Sequence, residues 1–300
     1  MSDINWWKQN IPTSYNPIRH ENYKCEISDA STTGWGAFCK GETARGFWTL
    51  EERKWHINRL ELKATLFALK SFAKAFRDCE IFVRIDNTTA VAYINRMGGV
   101  RHPNLHKIAK EIWQWCEARN IWLTASYIKS EDNVEADHES RIRNIDTEWE
   151  LADYAFRRAV ETFGYLEVDL SATRCNSKCE KFLSWERDPE AFAVDAFTVN
   201  WQPLGLFWAF PPFALILRVL KKIITDQATG IVIVPHWTNQ PWFPLFSKLL
   251  TEKPLLLEPS PNLVLSPCRS IQHPLAKKLS LMVGKLSGNL SKREDCLAHL

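Results

Sequence analysis

Four carboxylates, each on a different predicted element, are the residues of this sequence best suited to chemistry: Asp29, Glu61, Asp86 and Asp137. In "RIDNTTAVAYINRMGG" an apolar run ends at Ile85, and Asp86 follows directly before a helical segment. Asp, Asn and Thr all cap helix starts, so Asp86 taken alone is most simply a helix cap. A chemical role for Asp86 depends on where the other three acids lie.

The helix predicted over 58–76 carries an acid on its buried face. At about 100° per residue, its positive charges cluster on one side and Glu61 lies opposite them, inside the apolar arc. The arc consists of Leu60, Ala64, Ala68, Phe72 and Phe76. A carboxylate there costs free energy unless a positive group meets it. The alternative, a surface glutamate in a misplaced helix, would require the whole apolar pattern to shift.

Pattern alone orients the other three acids less firmly. Asp29 shares the inward parity of Ile27 on the predicted strand "KCEIS". The alternation of its strand leaves the direction of Asp86 open. Asp137 lies in the first turns of the last predicted helix, where any acid is favourable, so the neighbouring glutamates would serve equally well.

Acids that converge in this way point to a metal. They cannot all stay ionised side by side without cations, and Mg²⁺ is the hard, oxygen-ligated ion that fits such a set. Two such ions about 3.5–4 Å apart clamp the attacking water and the leaving oxygen of a phosphodiester. The acids therefore indicate a metal-dependent phosphodiester hydrolase.

The elements that must position these acids predict a compact mixed α/β domain that ends near residue 145. Its five strands are "KCEIS", "GWGAFCK", "ARGFWTL", "CEIFVRI" and "IWLTASYI", with a tight turn at "GE" between the second and third. Its helices are 58–76, 88–95, "LHKIAKEIWQWCEAR" and "NVEADHESRIR". A second unit begins with the helix of "DTEWELADYAFRRAVETFG" and continues with alternating short strands and helices.

Composition limits the class of protein. The 300 residues are 45% hydrophobic and 24% charged, enough for one large or two average domains. The net charge of +3 means that any nucleic-acid-binding surface must be local. Eight scattered cysteines predict free or buried thiols, and no signal peptide or bilayer-length apolar run occurs. We expect a soluble intracellular protein, with nucleus or cytoplasm undecided.

The segments "SDASTTGWGAF", "HINRLELKATLFAL", "RIDNTTAVAYINRMGG" and "NVEADHESR" resemble, in order, the motifs of type 1 ribonuclease H domains. The resemblance covers residues 21–145. It implies a mixed five-stranded sheet flanked by helices, and an enzyme that cuts the RNA strand of RNA–DNA hybrids. It also implies that Asp29, Glu61, Asp86 and Asp137 are the catalytic residues and hold two Mg²⁺ ions, for which Mn²⁺ can substitute. Asn87 or Thr88 could then still cap the helix.

The closest similarity is to the version of this domain in retroelement polyproteins of the DIRS type. "INWWKQNI", within residues 1–20, resembles the tail of the reverse transcriptase connection that precedes the domain there. No Tyr-x-Asp-Asp motif of a polymerase occurs in the chain. The resemblance implies an excised piece of such an element, with a reverse transcriptase module as a partner in the parent polyprotein.

Residues 146–260 resemble the region of these elements that is similar to phage DNA adenine methyltransferases, through "EWEL", "FGYLEVDLSATRCNSKCEKF", "AFPPF" and "GIVIVPHWTNQPWF". Asp169 and Asn176 keep the spacing of the family's "D-x-x-A…N" segment, so the resemblance leaves residual S-adenosylmethionine binding open. Pro211, Pro212 and Phe213 could form a stacking platform. Active members carry Asp or Asn before the two prolines, whereas this chain has Phe210. The resemblance thus implies a second, looser α/β domain without methyltransferase activity; the alternative is an unrelated α/β domain with a Pro-Pro turn.

Residues 261–300 are expected to form an irregular tail.

Two other functions compete with the hybrid nuclease. One is a non-catalytic nucleic-acid-binding relic of a retroelement, whose active site no longer assembles without the polymerase. The other is a different nuclease on the same fold, such as an integrase or resolvase. The fourth acid and its position after "NVEA" argue against the integrase or resolvase.

Overall fold

The computed structural model describes residues 26–30, 34–141, 149–266 and 272–289, with the backbone alone for 26–30. The segment compared with a reverse transcriptase connection, residues 1–20, lies outside the described residues. The described chain forms two mixed α/β units, each built on its own sheet.

Five strands form the first sheet in the order β3-β2-β1-β4-β5. They are β1 (Glu26–Ala30), β2 (Gly34–Cys39), β3 (Glu42–Phe47), β4 (Cys79–Ile85) and β5 (Ile121–Tyr127). β1, β2 and β3 pair antiparallel, whereas β4 pairs parallel with both β1 and β5. The predicted mixed five-stranded sheet is confirmed.

Four helices accompany this sheet: α1 (Ile57–Phe72), α2 (Thr88–Asn95), α3 (Pro103–Glu117) and α4 (Val134–Arg141). α1 is buried on nearly all sides because it packs between the sheet and α3. Lys63 and Lys70 of α1 pair with Glu111 of α3 at 3.5 and 3.6 Å. The helix stops at Phe72 rather than at residue 76, because the chain turns there and Arg77 donates to the carbonyls of Lys74 and Phe76.

The hairpin between β2 and β3 turns one residue earlier than predicted. Lys40 and Gly41 both have positive φ, 52° and 86°. Two such residues match the right-handed twist of the flanking strands, so the turn lies at Lys40–Gly41 and not at "GE". Cys39, at the end of β2, is disulfide-bonded. The prediction of free or buried thiols is therefore wrong for Cys39, whereas Cys79, Cys116, Cys175 and Cys179 are thiols that form no disulfide.

The second sheet has seven strands in the order β12-β14-β11-β10-β7-β8-β9. They are β7 (Val168–Asp169), β8 (Lys181–Ser184), β9 (Ala193–Val194), β10 (Phe207–Ala209), β11 (Thr229–Pro235), β12 (Leu255–Leu257) and β14 (Leu281–Ser287). A separate pair joins β6 (Glu150–Leu151) to β13 (Val264–Leu265). The helices of this unit are α5 (Asp153–Phe163), α6 (Ile216–Thr225) and α7 (Phe243–Leu249).

Strand β14 corrects the prediction of an irregular tail over residues 261–300. It pairs antiparallel with β11 through seven residue pairs, from Thr229–Ser287 to Pro235–Leu281. On its other side it pairs with β12. An interior strand of the second sheet thus comes from the segment that the sequence left without a fold. The described part of the second unit consequently continues past residue 260 to at least Ser287.

A buried ion pair joins the two units. Arg174, in the loop after β7, donates through Nη2 to both carboxylate oxygens of Glu52, at 2.6 and 2.8 Å. Its Nη1 donates to the Phe47 carbonyl at 3.1 Å, and its guanidinium carbon lies 4.4 Å from the centre of the Phe67 ring. The side chains of Arg174 and Glu52 are only 6% and 8% exposed. Neither charge can lose its partner without a large desolvation cost.

Across the described ranges, no helix combines the length and the apolar composition needed to cross a lipid bilayer.

We predict that removal of residues 261–300 unfolds the second unit. The truncated chain would lack β14, which lies between β11 and β12. Strand β12 would then lose its pairing partner, and β11 would keep β10 on one edge and lose its partner on the other. Thermal unfolding followed by circular dichroism, together with limited proteolysis, would measure the loss. A control chain ending at residue 289 keeps every described strand and should unfold as the full chain does. Cooperative unfolding of the shorter chain would contradict the position of β14.

We predict that Glu52→Gln lowers the free energy of unfolding by about 3 kcal/mol at pH 7, because the buried Arg174 would lose its closest carboxylate and keep the looser contact of its Nε with Glu190 at 3.9 Å. Burial raises the pKa of Glu52, but the bond and charge of Arg174, helped by Thr49, leave this pKa below the ordinary 4.5. A lowered carboxyl pKa contributes stability that is complete above pH 4.5 and is lost as pH falls through the folded value.

Urea unfolding between pH 7 and pH 3 would test this prediction. The difference between the native chain and Glu52→Gln should be constant above about pH 4.5 and shrink below it. Glu51→Gln is the matched control, since Glu51 is 78% exposed and pairs with the exposed Lys54. A difference that is independent of pH would show that the charge of Glu52 is not what stabilises the interface.

Candidate active site

Asp86 lies just beyond the end of β4 and is not the cap of α2. The cap is Asn87, whose side-chain oxygen accepts from the Ala90 N–H at 3.0 Å. Asp86 is left partly exposed, with its Oδ2 accepting a hydrogen bond from Ser130 Oγ at 2.9 Å. The simpler sequence interpretation of Asp86 as the helix cap is therefore wrong. Its carboxylate lies at the end of the strand and can still accept further ligands.

Glu61 is buried, as its position on the apolar arc predicts. Only 4% of the residue is exposed, and its neighbours Leu60 and Ala64 are fully enclosed. Helix α1 packs against β1 and β2, so this carboxylate lies in the layer between helix and sheet. An acid in such a position requires strong compensation from its surroundings.

A hydrogen bond between two asparagines connects the turn that carries Asp86 with the helix that carries Glu61. Asn87, next to Asp86, donates from Nδ2 to Asn58 Oδ1 at 2.9 Å. Asn58 is in the first turn of α1, one turn before Glu61. The turn that carries Asp86 is thereby held to the end of α1 that carries Glu61.

For Asp29 the structure describes the backbone alone. β1 pairs parallel with β4 up to Ser28 opposite Arg84, so residue 29 follows at the same end of the sheet as Asp86. The pairing of β1 with β2 shifts register at this point, between Ser28 and Ala30. Such irregularities bend a strand and are frequent beside active sites.

Asp137 lies on α4, a helix that packs against β2. It forms an ion pair with Arg141 one turn later, with nitrogen–oxygen distances of 2.7 and 2.9 Å. α4 approaches β2 closely because β2 has glycine there. A Cβ on Gly36 would come within 2.5 Å of both the Ala136 carbonyl oxygen and the Ser140 nitrogen. Gly36 thus sets the distance of Asp137 from the sheet.

The structure therefore places Glu61, Asp86 and residue 29 on adjoining elements, and Asp137 on a helix against the same sheet. Within the described residues, in which the Asp29 side chain is not included, no group of three or more His, Cys, Asp or Glu side chains is arranged to hold a metal. The donor set itself, carboxylate oxygens with no His or Cys, fits a hard cation such as Mg²⁺.

A second candidate site is a cavity of about 360 Å³ in the second unit. It lies at the carboxyl ends of β7, β8 and β10, and Asn176, Pro211 and Pro212 are among the residues that line it. Asn176 accepts from the backbone N–H and the hydroxyl of Thr173, which closes the loop after β7. Three of the weakly predicted cofactor-binding residues thus line one cavity.

The other two weakly predicted residues lie beside the cavity. Asp169 is buried at the end of β7; burial raises its pKa to about 6, although the backbone N–H groups of Lys178 and Ser171 act against this shift. Phe213 packs edge-on against Trp237, with ring centres 5.3 Å apart. Phe210, which replaces the acceptor of active methyltransferases in the resemblance, packs against an apolar cluster.

Sequence reasoning missed several residues of the cavity wall, notably Arg45, Trp185, Glu186 and Asp188. A signal for Glu186 exists, because doubly wound sheets often carry an acid after the second strand of the nucleotide-binding half. No local signal identifies Arg45, which belongs to β3 of the other unit.

Searches against family models and against curated proteins found no match to this chain. Solved structures do show similarity. Ribonuclease H1 from the halophilic archaeon Halobacterium salinarum NRC-1 is 17% identical with a TM-score of 0.31, over 38% of this chain and 92% of that one. The N-terminal RNase H domain of a Mycobacterium tuberculosis protein is 15% identical with a TM-score of 0.33, over 39% and 91%.

LC11-RNase H1, solved in complex with an RNA/DNA hybrid, is 20% identical with a TM-score of 0.32, over 39% of this chain and 93% of that one. Similarities at this level do not establish an activity. The function has to be inferred from the residues of this chain.

We predict that Gly36→Ala lowers the free energy of unfolding by about 1–3 kcal/mol, because the new Cβ meets backbone atoms of α4 that cannot rotate away. Hydrogen exchange should show faster exchange of the α4 amides in the variant. Gly99→Ala is the control, since the atoms nearest to its Cβ would be those of the Tyr93 side chain, which can move. Unchanged exchange in α4 would contradict the role of Gly36 as the spacer under Asp137.

Proposed function

We propose that the first unit is a metal-dependent endonuclease that hydrolyses the RNA strand of RNA–DNA hybrids. The observation that carries the proposal is the bond between Asn87 and Asn58, which holds the Asp86 turn against the helix of the buried Glu61. The parallel pairing of β1 with β4 brings residue 29 to the same end of the sheet. The buried carboxylate of Glu61, the partly exposed carboxylate of Asp86 at the end of β4, and Asp137 on a helix against the same sheet are oxygen donors of the kind that divalent cations prefer.

Asp29, Glu61, Asp86 and Asp137 are the residues that would hold two Mg²⁺ ions, or Mn²⁺ in their place. The bound pair supplies a clamp for the attacking water and the leaving oxygen. The chain's own contribution is orientation: Ser130 fixes one oxygen of Asp86, and the Asn87–Asn58 bond fixes the turn. Arg141 pairs with Asp137 and offsets its negative charge. Recognition of the 2′-hydroxyl would direct cleavage to RNA.

We also infer a retroelement origin, with a reverse transcriptase module as a partner in the parent polyprotein, from the similarity of the four motifs and of "INWWKQNI" to DIRS-type polyproteins. An intracellular location agrees with that origin. The competing function is a relic that binds nucleic acid without cutting it, and the cleavage experiment below separates the two.

For the second unit we propose a pocket for a nucleoside-containing cofactor such as S-adenosylmethionine. The order β9-β8-β7-β10-β11 reverses direction between β7 and β10. Ligands of doubly wound sheets bind outside the carboxyl ends of the strands at such a reversal, which is where the 360 Å³ cavity lies. We do not expect methyl transfer to adenine, because Phe210 has no acceptor for the amino group of a flipped base.

We predict that Asp86→Asn abolishes cleavage of a labelled RNA–DNA hybrid and leaves the fold intact. Loss of a side chain that orients a metal ligand typically costs about 10–100-fold in activity. Loss of a ligand itself should therefore cost more than about 100-fold in the cleavage rate. Because Asn87 is the cap, helix α2 keeps its first turn in the variant. Rates with and without Mg²⁺ or Mn²⁺, together with circular dichroism, are the measurements.

Asp132→Asn is the matched control, since Asp132 is an exposed acid in the neighbouring turn. This variant should cleave the hybrid as fast as the native chain does. Near-normal cleavage by Asp86→Asn would remove Asp86 from the site. Binding of hybrid without cleavage, in the native chain with either metal, would favour the non-catalytic relic.

We predict no transfer of a labelled methyl group from S-adenosylmethionine to adenine-containing duplex DNA by the full chain. Phe210→Asn restores an acceptor beside Pro211 and should permit detectable transfer if the pocket holds the cofactor. The assay uses the full chain because the sheet of the second unit includes β14, which lies beyond the segment 146–260 that carries the resemblance. Transfer by the native chain would contradict the role assigned to Phe210.

A further inference from the structure

Arg45 connects the wall of the cavity to the helix that carries Asp137. From β3, its Nε and Nη2 donate to Glu186 Oε2 and Oε1 at 2.7 and 2.6 Å, a two-pronged ion pair across the unit boundary. Its Nη1 donates to Glu139 Oε2 on α4 at 3.3 Å, which is a looser contact. One guanidinium therefore joins a carboxylate of the second unit to α4, two residues beyond Asp137.

Both Arg45 and Glu186 line the cavity. Glu186 follows β8, where an acid in a doubly wound sheet accepts hydrogen bonds from ribose hydroxyls. A vicinal diol needs both oxygens of the carboxylate, and these are the two oxygens that Arg45 now occupies. A ribose-containing ligand and Arg45 therefore compete for the same acceptor.

We propose that Arg45 is a positioning residue that couples occupancy of the cavity to α4: a ligand with a vicinal diol takes Glu186, and the guanidinium moves fully onto Glu139. The proposal rests on the ligand-binding function proposed for the second unit. It assigns to the cavity a regulatory effect on the unit that carries the candidate nuclease acids.

The charges favour this transfer of Arg45. A guanidinium stays protonated throughout the physiological range, so once displaced it must find another acceptor. Glu139 is already within 3.3 Å, and its side chain is 15% exposed against 47% for Glu186. A bond to the less exposed carboxylate is screened less by water. Among the described residues, the His138 imidazole also lies near Glu139, with its Nδ1 3.9 Å from Glu139 Oε1.

The transfer should hold α4 more firmly against β3. The looser contact at 3.3 Å would become a two-pronged pair, and arginine–carboxylate pairs of that geometry are the stronger kind. Because Asp137 is on the same short helix, the ligand would reduce the motion of one of the proposed catalytic acids. The helix is only eight residues long, so one added ion pair affects most of it.

Hydrogen exchange of the full chain, with S-adenosylmethionine as the probe, tests the coupling. Slower exchange in residues 170–176 reports binding in the cavity, and exchange in Val134–Arg141 reports α4. In the native chain we expect the probe to slow exchange in both segments. The exchange rates in α4 should fall by about two- to fivefold, which corresponds to the free energy of a partly exposed ion pair. In Arg45→Gln and Glu139→Gln the cavity should still be protected, while α4 no longer responds.

Glu42→Gln is the matched control. It breaks another ion pair between the units, Arg187–Glu42 at 2.7 Å, which does not involve α4, so the response of α4 should persist. A second comparison separates the diol from the rest of the ligand: adenosine should slow exchange in α4, and 2′,3′-dideoxyadenosine should not.

Protection of the cavity without any change in α4 would overturn the coupling and leave the ligand site standing. A response of α4 that survives Arg45→Gln, or that dideoxyadenosine also produces, would overturn the role of Arg45. No protection of the cavity by any probe would overturn both the coupling and the ligand site. None of these readouts requires metal or hybrid, so the fate of the nuclease proposal is decided separately.

Discussion

The buried pairing of Arg174 with Glu52 is the interaction on which both candidate sites depend. Two opposite charges, each less than a tenth exposed, are removed from water together and compensate each other with two short bonds. Arg174 belongs to the loop after β7, in which the flanking residues Thr173 and Asn176 line the cavity. Glu52 precedes α1, and Glu61 lies in the second turn of that helix. A displacement at this pair would therefore move a wall of the cavity and the start of the helix that carries a candidate catalytic acid.

Much of the first unit could be predicted from local pattern. The strand "CEIFVRI" and the helix at 88–95 have the predicted bounds, because an apolar run followed by an Asn cap determines where each begins and ends. The burial of Glu61 also followed from its place on the arc of α1. The identity of the cap did not, since Asp86 and Asn87 have equal capping ability and only the surrounding contacts decide between them.

What the sequence could not predict depends on contacts between distant segments. β14 has the composition of a strand, but nothing local indicates that it inserts between β11 and β12. The cavity wall likewise combines Arg45 with Glu186, which are separated by 141 residues and lie in different units. Pairings of that kind depend on how the two units pack, and periodicity contains no information about packing between units.

The position of β14 also has a consequence for synthesis of the protein on the ribosome. β11 leaves the exit tunnel well before its neighbour β14 does, and its residues Gly230–Pro235 are buried in the finished sheet. Until Leu281–Ser287 emerges, one edge of that apolar strand has no partner, and an unpaired apolar edge is a template for association with other chains. The nascent chain is therefore most exposed to aggregation, and most in need of chaperones, during the interval between these two strands.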